Sequence, residues 1–116
     1  MEFAVSRNGT TLVTLHGGSE TTACDDATAT VGAALETLAG DGAIADWEVT
    51  DAEVYEHPTA PFDPYAITVA FAVTVGVAAD DADAAAARGA SAIDDALERT
   101  ELDSITYTSS PVASAA

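Results

Sequence analysis

Between Tyr65 and Ala78 the chain alternates without a break, with Ile67, Val69, Phe71, Val73, Val75 and Val77 on one side and Ala66, Thr68, Ala70, Ala72, Thr74 and Gly76 on the other. A period of two sustained this long is the pattern of a strand. Its bulky side must be covered by another layer, so the chain has to build a sheet around this segment. At about 3.3 Å per residue the segment is long for one straight strand, and Gly76 is where a bend is expected.

The flanking segments supply the other layer. From Asp25 to Ala39, residues Ala27, Val31, Ala34, Leu35 and Leu38 recur on one helical face, with Asp25 and Asp26 at the positive N-terminal end and Gly40-Asp41-Gly42 as the stop. A second helix is predicted over Asp80 to Arg99. Its stripe of small residues (Ala82, Ala85, Ala86, Gly89, Ala92 and Ala96, with Ile93 and Leu97) permits close approach to a sheet. Trp47 to His57 reads as a strand whose acids Glu48, Asp51, Glu53 and Glu56 suit an edge. Three prolines make 58–64 irregular, and Leu102 to Thr108 is a short last strand.

At the N-terminus, Phe3-Ala4-Val5 and Leu12-Val13-Thr14-Leu15 flank Asn8-Gly9, the pair favoured in two-residue hairpin turns. The predicted order is therefore ββαββαβ over residues 1–108, a single α+β domain, with 109–116 as a flexible C-terminal tail. The inner strand–helix–strand–strand–helix–strand run resembles a ferredoxin-like two-layer sandwich, with a mixed or antiparallel sheet and both helices on one face. The halves echo each other in Ala23-Cys24-Asp25-Asp26-Ala27 and Ala78-Ala79-Asp80-Asp81-Ala82. One conflict stays open. An Asn8-Gly9 turn would seat residues 3–7 beside 11–15, in a place the fold reserves for another strand, so strand order is unsettled.

Charge governs what function can be read. Asp and Glu number 20 against three arginines, for a net charge of -17, and lysine is absent. Self-repulsion of this size destabilises a compact state in dilute buffer, whereas molar salt shortens the screening length to about 3 Å. Alanine contributes 27 residues and Leu, Ile, Val and Phe together only 23, so the core should be thin. This composition resembles that of cytoplasmic proteins from salt-accumulating halophilic archaea, a resemblance that names no family. The acids are spread singly and in pairs rather than in a block, which favours a solvent role over an acidic tail for a basic partner.

Without a basic cluster the counterion-release term that drives nucleic-acid binding is missing. The N-terminus lacks the basic and apolar regions of a signal peptide, and no segment is apolar for long enough to span a bilayer. The expectation is a soluble cytoplasmic protein with no membrane or nucleic-acid partner. Cys24 is the sole cysteine, which excludes an intrachain disulfide. No zinc spacing occurs, so neither metal nor cofactor is implied. His16 and His57 are expected at opposite ends of the sheet.

Two weak ligand-binding candidates emerge. One is His16, Gly17, Gly18 and Ser19 with Cys24, where glycines and a helix start favour an anion and the thiol has a histidine partner. Glu20, Asp25 and Asp26 oppose a thiolate there, and a plain turn with a packed cysteine is the simpler reading. The other is the proline-rich loop with His57, Phe62, Asp63 and Tyr65, a docking edge or lid, against the simpler reading of a stiffened connection. Asp94 and Asp95 are adjacent on a helix and face different directions, so they are no acid/base pair. No catalytic residue is assigned.

The absence of acids from Tyr65 to Ala78 suggests that the small-residue face is also covered, with a second copy of the chain as the favoured cover, against the simpler reading of a central strand whose small residues are shaded by its neighbours' longer side chains. The expected protein is a non-enzymatic, self-associating module that binds a small ligand or a protein. The alternative is a small enzyme of dimeric α+β barrel type, with a chamber between two sheets lined by His16, Tyr65 or Tyr107.

Overall fold

A computed structural model describes residues 1–16, 19–56, 64–100 and 102–115. The elements run β1 (Glu2–Leu15), α1 (Glu20–Gly40), β2 (Asp46–Glu56), β3 (Tyr65–Ala78), α2 (Ala82–Glu98), β4 (Asp103–Tyr107) and β5 (Val112–Ala115). The sheet order is β2-β3-β1-β4, with β5 also on β1, and every pairing is antiparallel. This is an α+β two-layer sandwich with ferredoxin-like strand order.

The extra strand is not where the sequence placed it. Residues 2–15 form one strand, paired without interruption to β3 from Glu2↔Ala78 to Leu15↔Tyr65, so Asn8-Gly9 makes no turn. Gly9 is buried in mid-sheet with Phe71 as its β3 neighbour and Tyr107 as its β4 neighbour. A Cβ there would stand 3.1 Å from the Phe71 ring and 3.2 Å from the Thr106 carbonyl oxygen. The glycine is thus selected by the aromatic lying over it, not by positive φ. With β1 in one piece, the topological conflict disappears: β1 is central, between β3 and the β4–β5 edge.

Residues 112–115 are likewise a strand rather than a frayed tail. β5 pairs with Phe3 to Ser6 while β4 pairs with Gly9 to Leu12, so two short strands share one edge of β1. The joint between them is tied to β1. Thr108 N–H donates to the Asn8 carbonyl at 2.9 Å, and Asn8 N–H donates to Ser109 Oγ at 3.0 Å. Register also passes unbroken through Gly76; the irregularities fall in β2 and β4 instead.

Helix α1 starts five residues before the predicted Asp25. Ser19 is its N-cap, its side chain accepting from Thr22 N–H at 3.2 Å. Its end has a Schellman pattern: Gly42 at φ 80, Gly42 N–H to Ala39 O, and Ala43 N–H to Leu38 O. Asp81 caps α2 through a 2.7 Å bond from Ala84 N–H. The Asp25-Asp26 and Asp80-Asp81 echoes are therefore not equivalent in space, since the first lies inside a helix and the second opens one.

Between helices and sheet lie Val5, Val31, Leu35, Ile67, Val69, Phe71, Val73, Ile93 and Leu97, all fully buried, with five buried alanines filling the gaps. Gly89 sets the separation of α2 from β1, because a Cβ there would lie 2.4 Å from Val5 Cβ. The long β1–β3 ladder stretches the molecule to 55 Å, with a radius of gyration of 15.6 Å, where about 13 Å is usual at this length.

Candidate functional site

Every Asp and Glu side chain whose burial is described is exposed, so this acidity faces solvent. The open side of the sheet differs. Five rows run across it in register from β2: Asp46–Thr74–Ser6–Val112, Glu48–Ala72–Asn8, Asp51–Ala70–Thr10–Thr106, Glu53–Thr68–Leu12–Asp103, and Glu56–Ala66–Thr14. The two central strands thus present an uncharged stripe from Ala4 to Thr14 and from Ala66 to Gly76. Edge strand β2 places five acidic positions, Asp46, Glu48, Asp51, Glu53 and Glu56, along one flank. The other flank carries Thr106, Val112 and Ser114, with Asp103 at the start of β4. Ser6 and Thr74 hydroxyls bond each other at 2.8 Å across the stripe. A shallow depression of about 490 Å³ lies where Asp46 and Glu48 adjoin Ser6 and Asn8.

At the other candidate places the geometry is less suited to ligands. His16 is exposed just past β1, and Gly17 and Gly18 lie outside the described residues. Ser19 spends its oxygen on the cap, and Ala23 N–H is held by the Ser19 carbonyl at 3.0 Å. Cys24 sits inside α1, half-buried against the core. Burial pushes its thiol pKa up, and the charges of Glu20, Asp25 and Asp51 push it further, so the field opposes a thiolate.

His57, Phe62 and Asp63 lie outside the described residues. Tyr65 begins β3 beside Leu15, on the helix-covered face. Register also corrects the expectation that the histidines stand at opposite ends. Leu15 pairs with Tyr65 and Glu56 pairs with Ala66, so the strands that precede His16 and His57 finish at the same end of the sheet. The reason is topological: a helical crossover makes β1 and β2 run the same way. No group of three or more metal-ligating side chains occurs among the described residues.

A cluster that sequence reasoning missed joins three elements. The Arg7 guanidinium lies 3.8 Å from the centroid of the Tyr107 ring, and its Nε donates to the Ser109 carbonyl at 3.1 Å. Tyr107 OH donates to the Asp94 carboxylate on α2. Burial, then the bond to Asp94, drives the phenol pKa far above its usual value, so Tyr107 is a proton holder and a poor base. An open cleft of about 370 Å³ adjoins it, lined partly by Glu98, Thr100 and Ser104, the last at φ 54. The only sequence hint was that β4 directly follows α2, which brings Asp94 and Tyr107 within one connection of each other. Like Tyr65, Tyr107 packs on the helix side. Neither tyrosine lines the open face, where a chamber between two sheets would form.

No helix among the described residues is long and apolar enough to cross a membrane. Comparison with protein-family models and with curated proteins finds no match to this chain.

Proposed function

We propose that the protein is a non-enzymatic, self-associating module of a salt-accumulating cytoplasm, whose work is to bind a small ligand or a protein. One observation carries the reading: in a chain with 20 acidic residues, the open face of the two central strands is free of charge between Ala4 and Thr14 and between Ala66 and Gly76. A solvent-facing sheet surface in such a chain has every reason to carry carboxylates, as β2 does. A face built to be covered must leave them out, because a charge buried without a partner costs several kcal/mol, on the order of the whole stability of a small domain. The Ser6–Thr74 bond supports this, since two hydroxyls that satisfy each other lose little when water leaves.

The occupant that fits is a second copy. A basic partner would seek the carboxylates of β2, whereas the stripe offers flat, small, neutral residues that match another such stripe. Three strand widths (β3, β1 and the β4–β5 edge) over the stretch from Ala4 to Thr14 amount to about 540 Å² per copy at 4.8 Å spacing and 3.4 Å rise. Two copies would bury about 1,100 Å², at the lower end of the range of a specific interface.

The variant Ala70→Glu/Ala72→Glu tests the face directly by light scattering in molar KCl. The expected result is a dimeric parent and a monomeric variant; equal masses would contradict the proposal. The binding role is tested by thermal-shift titration against metabolites in the same salt. A saturable rise in midpoint supports it, and turnover with no such rise defeats it.

A further inference from the structure

The asymmetric charge on the open face selects one of the two ways in which two such sheets can pair, and we infer that the two-fold axis runs along the strands. This rests on the self-association proposed above. When the strands of the two sheets stay aligned, face-to-face pairing by a two-fold axis between them has two solutions. With the axis across the strands, each β2 lies over the partner's β2 and the rows reverse. Asp46 then meets the partner's Glu53, and Glu48 meets the partner's Asp51. With the axis along the strands, the flanks exchange and the rows are kept. At the solvent-exposed rim Asp46 meets the partner's Val112 and Asp51 meets the partner's Thr106, while the uncharged strands β3 and β1 lie over one another at the centre.

Magnitude decides between them. Packed sheets are about 10 Å apart, which brings the acidic positions of both β2 strands into a single seam of one sign in the first arrangement. Molar salt weakens this repulsion without reversing its sign, so the arrangement that parts the carboxylates is favoured at every ionic strength. In the second arrangement the one acidic position facing acid is Asp103, in register with Leu12 and the partner's Glu53 row, at the far end of the contact. The short, split β4–β5 edge thereby acquires a role. Its neutral positions Thr106, Val112 and Ser114 are the counterpart of the acidic flank.

Cross-linking distinguishes the two. Single-cysteine variants Asp46→Cys, Glu53→Cys and Val112→Cys, each with Cys24→Ser, are mixed in pairs in molar KCl and treated with a short bismaleimide. The expected outcome is a dimeric mass and at least tenfold more cross-link in the 46+112 mixture than in the 46+53 mixture. A dimer that links mainly through 46+53, or through neither pair, overturns the axis and leaves self-association standing. A monomeric mass for the unlinked proteins overturns both.

Discussion

A Cβ on Gly89 would overlap the Val5 side chain at 2.4 Å, whereas one on Gly40, at the end of α1, would meet nothing within 4 Å. These two glycines separate a packing requirement from a spare one. Gly89→Ala should cost about 1–3 kcal/mol, the usual penalty for overpacking a fitted contact. Gly40→Ala should be neutral or stabilise by up to about 1 kcal/mol through the unfolded chain. Urea unfolding in molar KCl measures both, and equal effects would refute the close helix–sheet contact. Cys24 supplies a chemical check at this scale. Since its thiol is pushed up by burial and neighbouring carboxylates, its alkylation should reach half-maximal rate at a higher pH than that of a free thiol. A low-pH reactive thiol would restore the anion-site reading.

Among the elements, the Arg7–Tyr107–Asp94 contact pins the β4–β5 edge to α2. Tyr107→Phe removes the bond to Asp94 and should cost about 1 kcal/mol near neutral pH. The pH dependence follows from the raised phenol pKa. The folded state favours the protonated form, so this contribution is complete below the unfolded value of about 10 and drains away as pH climbs toward the folded value. Urea midpoints for parent and variant should therefore converge above pH ~10. A constant gap would show that the bond does not couple to folding. The elements also show what the sequence disclosed. Tyr65 to Ala78 was legible to the residue because both of its faces obey one period, and α2 was legible because Asp81 and the alanine stripe agree. Three features were not. Asn8-Gly9 has the local chemistry of a turn, and only the Phe71 ring, distant in sequence, explains the glycine. Ser19 caps α1, but Thr21 and Thr22 hide the first turn behind a polar stretch. β5 is a poor strand by composition and exists because β1 offers it an unfilled edge. Of the candidate site residues, Ser19 and Cys24 proved to be helix positions and Tyr65 a core-side position.

For the molecule as a whole, the acids and the neutral stripe are two parts of one surface pattern. Carboxylates coat whatever faces solvent, over a core that five buried alanines keep thin, and dilute buffer should destabilise such a chain relative to molar KCl. Where carboxylates are withheld, we propose that the surface is set aside for contact. Sedimentation equilibrium of the unmodified protein in molar KCl tests that claim most directly. The expected mass is twice the 11.7 kDa of the chain, with dissociation only on dilution. A single species of chain mass at every concentration would contradict it.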